Sequence, residues 1–239
     1  TASAMSIPHL PVRRSPWRRS FVWSAPVMLV LLVAAVALNL GGLRDRIFPP
    51  PSTHVESVAV LPLTTPAGNP EQEYFADGMT DALIAELANI SALRVISRTS
   101  IMRYKGSTKS VPEIARELKV DAVLEASALE SGGRVRITAR LIRASSDTNI
   151  WNNSYERDLR DVLDLQREVA SAVAREIRVA ITPREAARLA RSSPVNPAAY
   201  VAYIKGRFFL NKRTREDLSR AIEHFQLAIA RDPSYAPAY

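Results

Sequence analysis

The sequence predicts an α+β fold, in which a two-layer domain with a mixed sheet follows one transmembrane helix and precedes all-α repeat helices. Three observations predict it. An uncharged apolar run covers residues 20–43, strand and helix patterns alternate across residues 55–181, and two helix patterns with repeat-like spacing cover residues 198–239. These patterns are typical of an anchor, a globular domain and a helical array, in that order.

The apolar run is the predicted membrane anchor. No charged residue lies between Arg19 and Arg44, and as a helix the 24 intervening residues would extend about 36 Å, enough to cross a hydrocarbon core of about 30 Å. A cleaved signal peptide is the alternative. Its apolar region is normally shorter, about 7–15 residues, and the end of this run, NLGGL, is a poor cleavage site.

Charge around the run predicts its orientation. Four arginines precede it within residues 1–19, a basic tail that we expect in the cytoplasm. The predicted location is therefore the inner membrane, single-pass, with the N-terminus inside and the C-terminal domains periplasmic. A Pro-rich spacer, residues 44–54, connects the anchor to the next domain. The chain begins at Thr1 rather than Met, so we expect either a processed protein or a piece of a longer one.

Residues 55–181 alternate between strand and helix patterns. We predict strands over residues 55–63, 93–100, 121–130, 134–144 and 149–159, and helices over residues 75–88, 111–120 and 161–181, with a loop over residues 64–72. The pattern over 134–144 is the clearest, because Val135 and Ile137 alternate with Arg134 and Arg136. The final three strands form a meander, which excludes a doubly wound sheet and favours helices on one face of a mixed sheet.

The same residues carry a family resemblance. The segments VAVLPL, NPEQEYFADGMTDALIAELANISALRVISRTSIMRYKG and PEIARELKVDAVLEAS, with the stretch from RVRITARLIRA to AVAREI, resemble the TolB N-terminal-like domain, related to FlgO, of bacterial membrane proteins. The resemblance implies a non-enzymatic domain outside the membrane, between one transmembrane helix and tetratricopeptide repeats. It also implies an upstream cytoplasmic effector of one of three kinds, a winged-helix regulator, a serine/threonine kinase or a nucleotide cyclase.

A helical repeat is predicted at the C-terminal end. Residues 182–197 read as a linker helix, and residues 198–239 as a tetratricopeptide repeat from an array that continues beyond Tyr239. Ala221, Phe225, Ala228 and Pro233 have the repeat spacing, with Gly206 as the small first-helix position. A generic helical hairpin is the alternative.

Composition excludes several kinds of site. The chain has no cysteine, so thiolate metal sites, cysteine nucleophiles and disulfides are ruled out. The net charge is +8, yet residues 55–181 hold 16 basic and 18 acidic side chains. We therefore expect no nucleic-acid binding by this portion.

Five carboxylates, Glu71, Glu73, Asp77, Asp81 and Glu86, lie in or near the first predicted helix. A metal or acid/base site is one interpretation. We favour helix capping and a solvated surface, because carboxylates favour the positive end of a helix and no histidine lies nearby in sequence. We therefore predict no catalytic residues, no metal and no cofactor.

The predicted function is a membrane-anchored sensory or protein-interaction module that binds a protein partner through the TolB-like domain and a tetratricopeptide groove. Two alternatives stay open. The chain is the sensor portion of a larger signalling protein with a kinase, cyclase or winged-helix effector, or it is an envelope-associated factor.

Overall fold

The computed structural model describes residues 55–65, 70–191 and 194–239, and residues 53–239 form one compact unit. In chain order the elements are β1 (Ser57–Val60), α1 (Pro70–Ala88), β2 (Arg94–Val95), α2 (Arg98–Ile101), α3 (Val111–Leu118), β3 (Ala122–Ser131), β4 (Arg134–Arg143), β5 (Thr148–Asp158), α4 (Val162–Glu176), α5 (Pro183–Leu189), α6 (Pro197–Lys212) and α7 (Arg215–Arg231). Short 3-10 turns follow α2, β5 and α7. The predicted order of strands and helices is confirmed, with α2 as an addition.

The sheet has five strands in the order β2-β1-β3-β4-β5. β1 pairs in parallel with β2 and β3, whereas β3, β4 and β5 form an antiparallel meander. The sequence SGG at residues 131–133 predicts a hairpin turn, and a turn joins β3 to β4 at this place. Gly132 and Gly133 occupy it with φ of 59° and 76°, a left-handed conformation that suits a two-residue turn.

β2 is much shorter than predicted. The strand predicted over residues 93–100 ends at Val95, and α2 begins at Arg98. Only two residues of β2 pair with β1, at Ser57 and Val58. Ile101 directly follows the predicted strand. In the structure it is the last residue of α2, and its side chain is buried.

The two faces of the sheet are covered differently. Val58, Val60 and Leu124 point to the face on which α1 and α4 pack, in one apolar core. Ala59 and Val123, their neighbours in sequence, point to the opposite face and pack against α3 and Tyr104 in a second core. The prediction that all helices lie on one face is therefore wrong, because the crossover from β2 to β3 passes over the other face.

The membrane predictions are also corrected. No helix among the described residues is long and apolar enough to cross a membrane. The segment predicted as the anchor, residues 20–43, lies outside the described residues, as do the basic tail and most of the spacer. For the described residues we correct the fold class to an α+β domain followed by helices, and no single-pass membrane location is assigned.

The two C-terminal helices, α6 and α7, form a hairpin. Gly206 of α6 lies against the ring of Phe225 in α7, and Ala221 and Ala228 are buried. These are the positions that the predicted repeat reserves for small and aromatic residues. Assignment of this hairpin to the tetratricopeptide class stays a prediction, and we do not place a binding groove on it.

Helix α5 begins with a capping box that also reaches α1. The carboxylate of Glu185 accepts hydrogen bonds from the hydroxyl and N–H of Thr182, at 2.6 and 2.7 Å, and from the N–H of Ser91 at 2.7 Å. These bonds, led by the Thr182 hydroxyl, lower the pKa of Glu185 from 4.5 to about 2. The ionised carboxylate therefore connects α5 to the loop that follows α1.

This capping predicts a pH-dependent stability. Because the pKa is depressed in the folded state, the contribution of Glu185 is present above pH 4.5 and is lost as the pH falls from 4.5 towards 2. Urea unfolding should show that Glu185→Gln is less stable than the unsubstituted protein at pH 7, and that this difference shrinks at pH 3. A difference of equal size at both values would contradict the assigned bonds.

Candidate functional site

The open face of the antiparallel meander is polar, as the alternation in β4 predicts. Arg134, Arg136, Thr138 and Arg140 are exposed on this face, while Val135, Ile137, Ala139 and Leu141 are buried on the other. The strand register brings side chains of neighbouring strands into rows across this face. The candidate site is formed by these rows and not by the residues of any single strand.

One row consists of hydroxyl side chains. Ser127 of β3 is paired with Thr138 of β4, which is paired with Ser154 of β5. Thr64, after β1, forms a bridge to Ser127 and extends the row to a fourth strand. Directly paired residues share a face, and strands are about 4.8 Å apart, so four hydroxyls lie side by side at this spacing. The Thr138 and Ser154 hydroxyl oxygens are 3.1 Å apart.

Ion pairs border the hydroxyl row on both sides. On one side Arg140 Nε donates to Glu125 Oε2 at 3.1 Å. On the other, Arg136 donates to Glu156 with Nε at 2.9 Å and Nη2 at 2.6 Å. These hydrogen bonds hold the pKa of Glu156 below its ordinary value. Arg136 and Arg140, which form these two ion pairs, are four residues apart in β4, or about 13 Å. The short hydroxyl side chains between them therefore form a trough bordered by two ridges of longer side chains.

The turn after α2 and the start of α3 form a wall beside this trough. The Tyr104 hydroxyl donates to Glu117 at 2.7 Å and accepts from Arg103 at 2.8 Å, which holds the ring at the side of the groove. Burial raises the pKa of Tyr104, so the phenol stays protonated at neutral pH. The groove has a volume of about 860 Å³, within the range of ligand sites in proteins. Its lining also includes Leu61, Lys109, Ile114 and Asn152.

The side chains that line the groove are suited to hydrogen bonding. Among the described residues that line it, Glu125 is the one carboxylate, and it is paired with Arg140. What the groove offers is hydrogen-bond donors and acceptors from hydroxyls, amides and the Arg140–Glu125 pair, while the Arg136–Glu156 pair lies beyond its lining. Within the described residues, no group of three or more metal-ligating side chains is present.

The carboxylates of α1 form no part of this groove. Asp77 is buried and Asp81 is mostly buried, so neither is solvated as predicted, and both pair with Arg98 of α2. Asp77 also accepts from Lys105 at 2.9 Å, and Asp81 from Arg207 of α6 at 3.2 Å. Burial raises the pKa of Asp81, against the opposing effect of Arg98 and Arg207.

These carboxylates therefore connect three helices. Glu86, near the end of α1, pairs with Arg188 of α5 in the same manner, and Glu73 pairs with Lys105 at 2.7 Å. The side chain of Glu71 lies outside the described part of the structure. The interpretation as capping and surface groups is corrected for Asp77 and Asp81, since their partners come from distant segments that sequence spacing does not reveal.

The hydroxyl row was missed by sequence reasoning. The alternation in β4 marked Thr138 as outward-facing, but nothing local relates it to Thr64, Ser127 or Ser154. A search for short hydroxyl residues at outward positions of successive strands would have found three of the four. The register is needed to place them in one row.

The fold and groove define the described part of the chain as an α+β domain with a polar groove on the open face of its sheet. Comparison with known protein families extends this result. Residues 53–172 match the family described as the second domain of HilA/YgeH-like transcriptional regulators, and the chain belongs to that family.

One curated relative has a different description. The protein called putative adenylate cyclase 3 from Rhizobium meliloti (strain 1021) is 38% identical over 160 residues, which are 66% of this chain and 27% of that protein. The chain thus spans about a quarter of the length of this relative.

Several solved structures are similar in part. Lipoprotein GNA1162 from Neisseria meningitidis aligns with a TM-score of 0.38 and 19% identity, covering 53% of this chain and 99% of that one. TolB from Acinetobacter baumannii aligns with a TM-score of 0.39 and 8% identity, covering 52% and 28%. The C-terminal domain of LpoB from Salmonella enterica aligns with a TM-score of 0.33 and 17% identity, covering 49% and 93%. The comparisons do not support the transmembrane anchor or the tetratricopeptide repeat.

Proposed function

We propose that this domain is a non-catalytic regulatory module that binds a segment of a protein partner in the polar groove. The observation that carries the proposal is the trough of four hydroxyls between two ridges of ion-paired arginines. A trough about 13 Å between ridges accepts one extended or helical segment. The hydroxyls and amides of its floor supply hydrogen bonds for the polar groups of such a segment.

The comparisons support a regulatory role. The family description names transcriptional regulators, whereas the relative is named as a cyclase. A domain shared by proteins with two such different activities is better explained as a module common to both than as the seat of either activity. We propose that this chain belongs to a larger signalling protein and that partner binding here controls an effector carried elsewhere in that protein.

The direct test is site-specific photocrosslinking with the full chain in its own cell. A benzophenone amino acid placed at Ser127, in the trough, should crosslink to one discrete partner that mass spectrometry identifies. The same amino acid at Gln226, exposed on α7, is the matched control and should give no such product. Thr138→Lys, which fills the trough, should reduce the Ser127 product at least tenfold, whereas Thr138→Ser, which keeps the hydroxyl, should leave it within twofold.

Each of three results would contradict the proposal. One is the absence of a discrete product at Ser127, and a second is a product that Thr138→Lys leaves unchanged. Equal crosslinking at Ser127 and Gln226 would indicate non-specific proximity and would equally remove the groove as the binding site.

A further inference from the structure

The outer edge of β5 carries backbone groups that no other strand pairs with among the described residues. β5 is the last strand of the sheet and pairs only with β4. The hairpin turn at Gly132 and Gly133 directs the backbone of Arg134 towards β3, and the N–H of Leu159 donates to the carbonyl of Gly133 at 2.8 Å. Antiparallel bonding alternates along a strand, so the N–H and C=O groups of Asn152, Ser154 and Glu156 point away from the sheet.

Two side-chain contacts agree with this direction. The N–H of Ser154 donates to Oδ1 of Asn153, its own neighbour, at 2.8 Å. The carbonyl of Glu156 accepts from Arg157 Nη1, again a neighbour, at 2.9 Å. Both contacts are exposed and local, so an incoming strand can replace them with ladder hydrogen bonds. In the absence of such a strand they cover the edge and limit uncontrolled pairing.

A pocket lies beside this edge, on the helix side of the sheet. It has a volume of about 540 Å³ and lies between β5, α4 and the end of α5. Tyr155, Ala172 and Leu189 contribute its apolar surface. A strand added to β5 would direct every second side chain to this side of the sheet. The edge supplies backbone bonding and the pocket accepts alternate side chains, the two parts of recognition by strand addition.

The shape of the pocket selects the kind of occupant. The end of α5, at Leu189, Ala190 and Arg191, closes the pocket opposite β5. A second copy of this chain pairing through β5 would bring its own helices onto the side that α5 already occupies. A single extended segment needs only the width of one strand. Both Arg175 and Glu168 line the pocket, so its charges are mixed and the inward side chains of the segment are best apolar.

We propose that the β5 edge binds an extended segment of a partner polypeptide by strand addition. The backbone of the segment forms hydrogen bonds with the outward N–H and C=O groups of Asn152, Ser154 and Glu156. Every second side chain of the segment is apolar and enters the pocket between α4 and α5. Asn152 and Ser154 also line the polar groove of the proposed function, but this surface uses their outward backbone groups and the opposite face of the sheet. Thr138→Lys fills the groove alone, so either site can fail without the other.

Proline substitution tests the proposal, because the N–H of Ser154 points outward. Ser154→Pro removes that donor without removing a bond to β4, and edge positions of this kind tolerate proline. Ser154→Ala is the matched control, which loses the same hydroxyl and keeps the N–H. The probes are ten-residue peptides selected from a random library on the full chain. We expect apolar residues at alternate positions, binding to Ser154→Ala within twofold of the parent, and binding to Ser154→Pro at least tenfold weaker.

Amide hydrogen exchange provides a second measurement that needs no variant. In the free chain the amides of Asn152 and Glu156 should exchange much faster than those of Asn153 and Tyr155. A selected peptide should slow the exchange of Asn152, Ser154 and Glu156 at least tenfold. The proposal is overturned if the library yields no binder, if the peptides protect none of these amides, or if light scattering shows a dimer that Ser154→Pro abolishes, since the occupant would then be a second copy.

Discussion

Gly78→Ala is expected to destabilise the protein by about 1 kcal/mol and to loosen the C-terminal helical hairpin in particular. Gly78 lies where α1 crosses α6, and a Cβ added there would be 2.8 Å from Cβ of Ile204. Cβ of Ile204 cannot move without its backbone, so the two helices must separate. Overpacking of this kind costs about 1–3 kcal/mol, and it must outweigh the roughly 1 kcal/mol that alanine gains over glycine in a helix.

The chain provides a matched control in Gly206. A Cβ there would be 2.6 Å from two ring atoms of Phe225, but that ring is only half-buried and can turn aside. Gly206→Ala should therefore cost less than Gly78→Ala in urea unfolding. Hydrogen exchange should show lost protection in α6 and α7 of Gly78→Ala while β3 and β4 stay protected. A Gly78→Ala variant that is more stable than the parent would contradict this prediction. It would show that the helix propensity of alanine outweighs the free energy needed to separate the two helices.

Asp81→Ala is expected to have a larger effect, a loss of about 3 kcal/mol of unfolding free energy. The Asp81 carboxylate is buried between Arg98 of α2 and Arg207 of α6 and also accepts from Asn211 at 3.3 Å. Its removal leaves two partly buried guanidinium groups without their shared partner, and breaking a buried ion pair in this way costs about 3–5 kcal/mol. We place the expected value at the low end because both arginines keep some contact with solvent.

Glu156→Ala is the control for this prediction. Glu156 also pairs with two arginines, Arg134 and Arg136, but both are exposed on the open face of the sheet. Exposed pairs contribute about 0–1 kcal/mol, so this variant should be nearly as stable as the parent. Chemical unfolding of the two variants under one condition makes the comparison. Equal losses of unfolding free energy would mean that the burial of Asp81 and its two arginines does not determine how much they stabilise the protein.

The sequence predicted local structure well where one pattern of burial dominates. Phe75, Met79, Leu83 and Leu87 repeat every four residues, and the structure buries all four in α1. The alternation in β4 predicted both its buried and its open face. Prediction from the sequence failed at β2. Two paired residues are too few to give a periodic pattern, and the residues that were predicted to continue the strand form the helical turn α2.

The candidate site could be predicted only in part. The outward position of Thr138 follows from β4 alone, whereas its neighbours in the row come from three other strands. The acidic stretch was noticed in the sequence, but its role was wrong for Asp77 and Asp81. The sequence around a helical carboxylate is the same whether the carboxylate faces solvent or a buried arginine. Its role is therefore known only when its partner is known.

The sequence by itself thus determined the order of strands and helices, the buried stripes of α1 and β4, and the hairpin turn at Gly132 and Gly133. These depend on each residue and its near neighbours, through side-chain periodicity and backbone conformation. Only the tertiary structure decided the face on which α3 packs, the hydroxyl row from Thr64 to Ser154, and the contact of Gly78 with Ile204. These depend on strand register and helix packing, which arise from contacts between residues far apart in the chain and are not encoded in any local pattern.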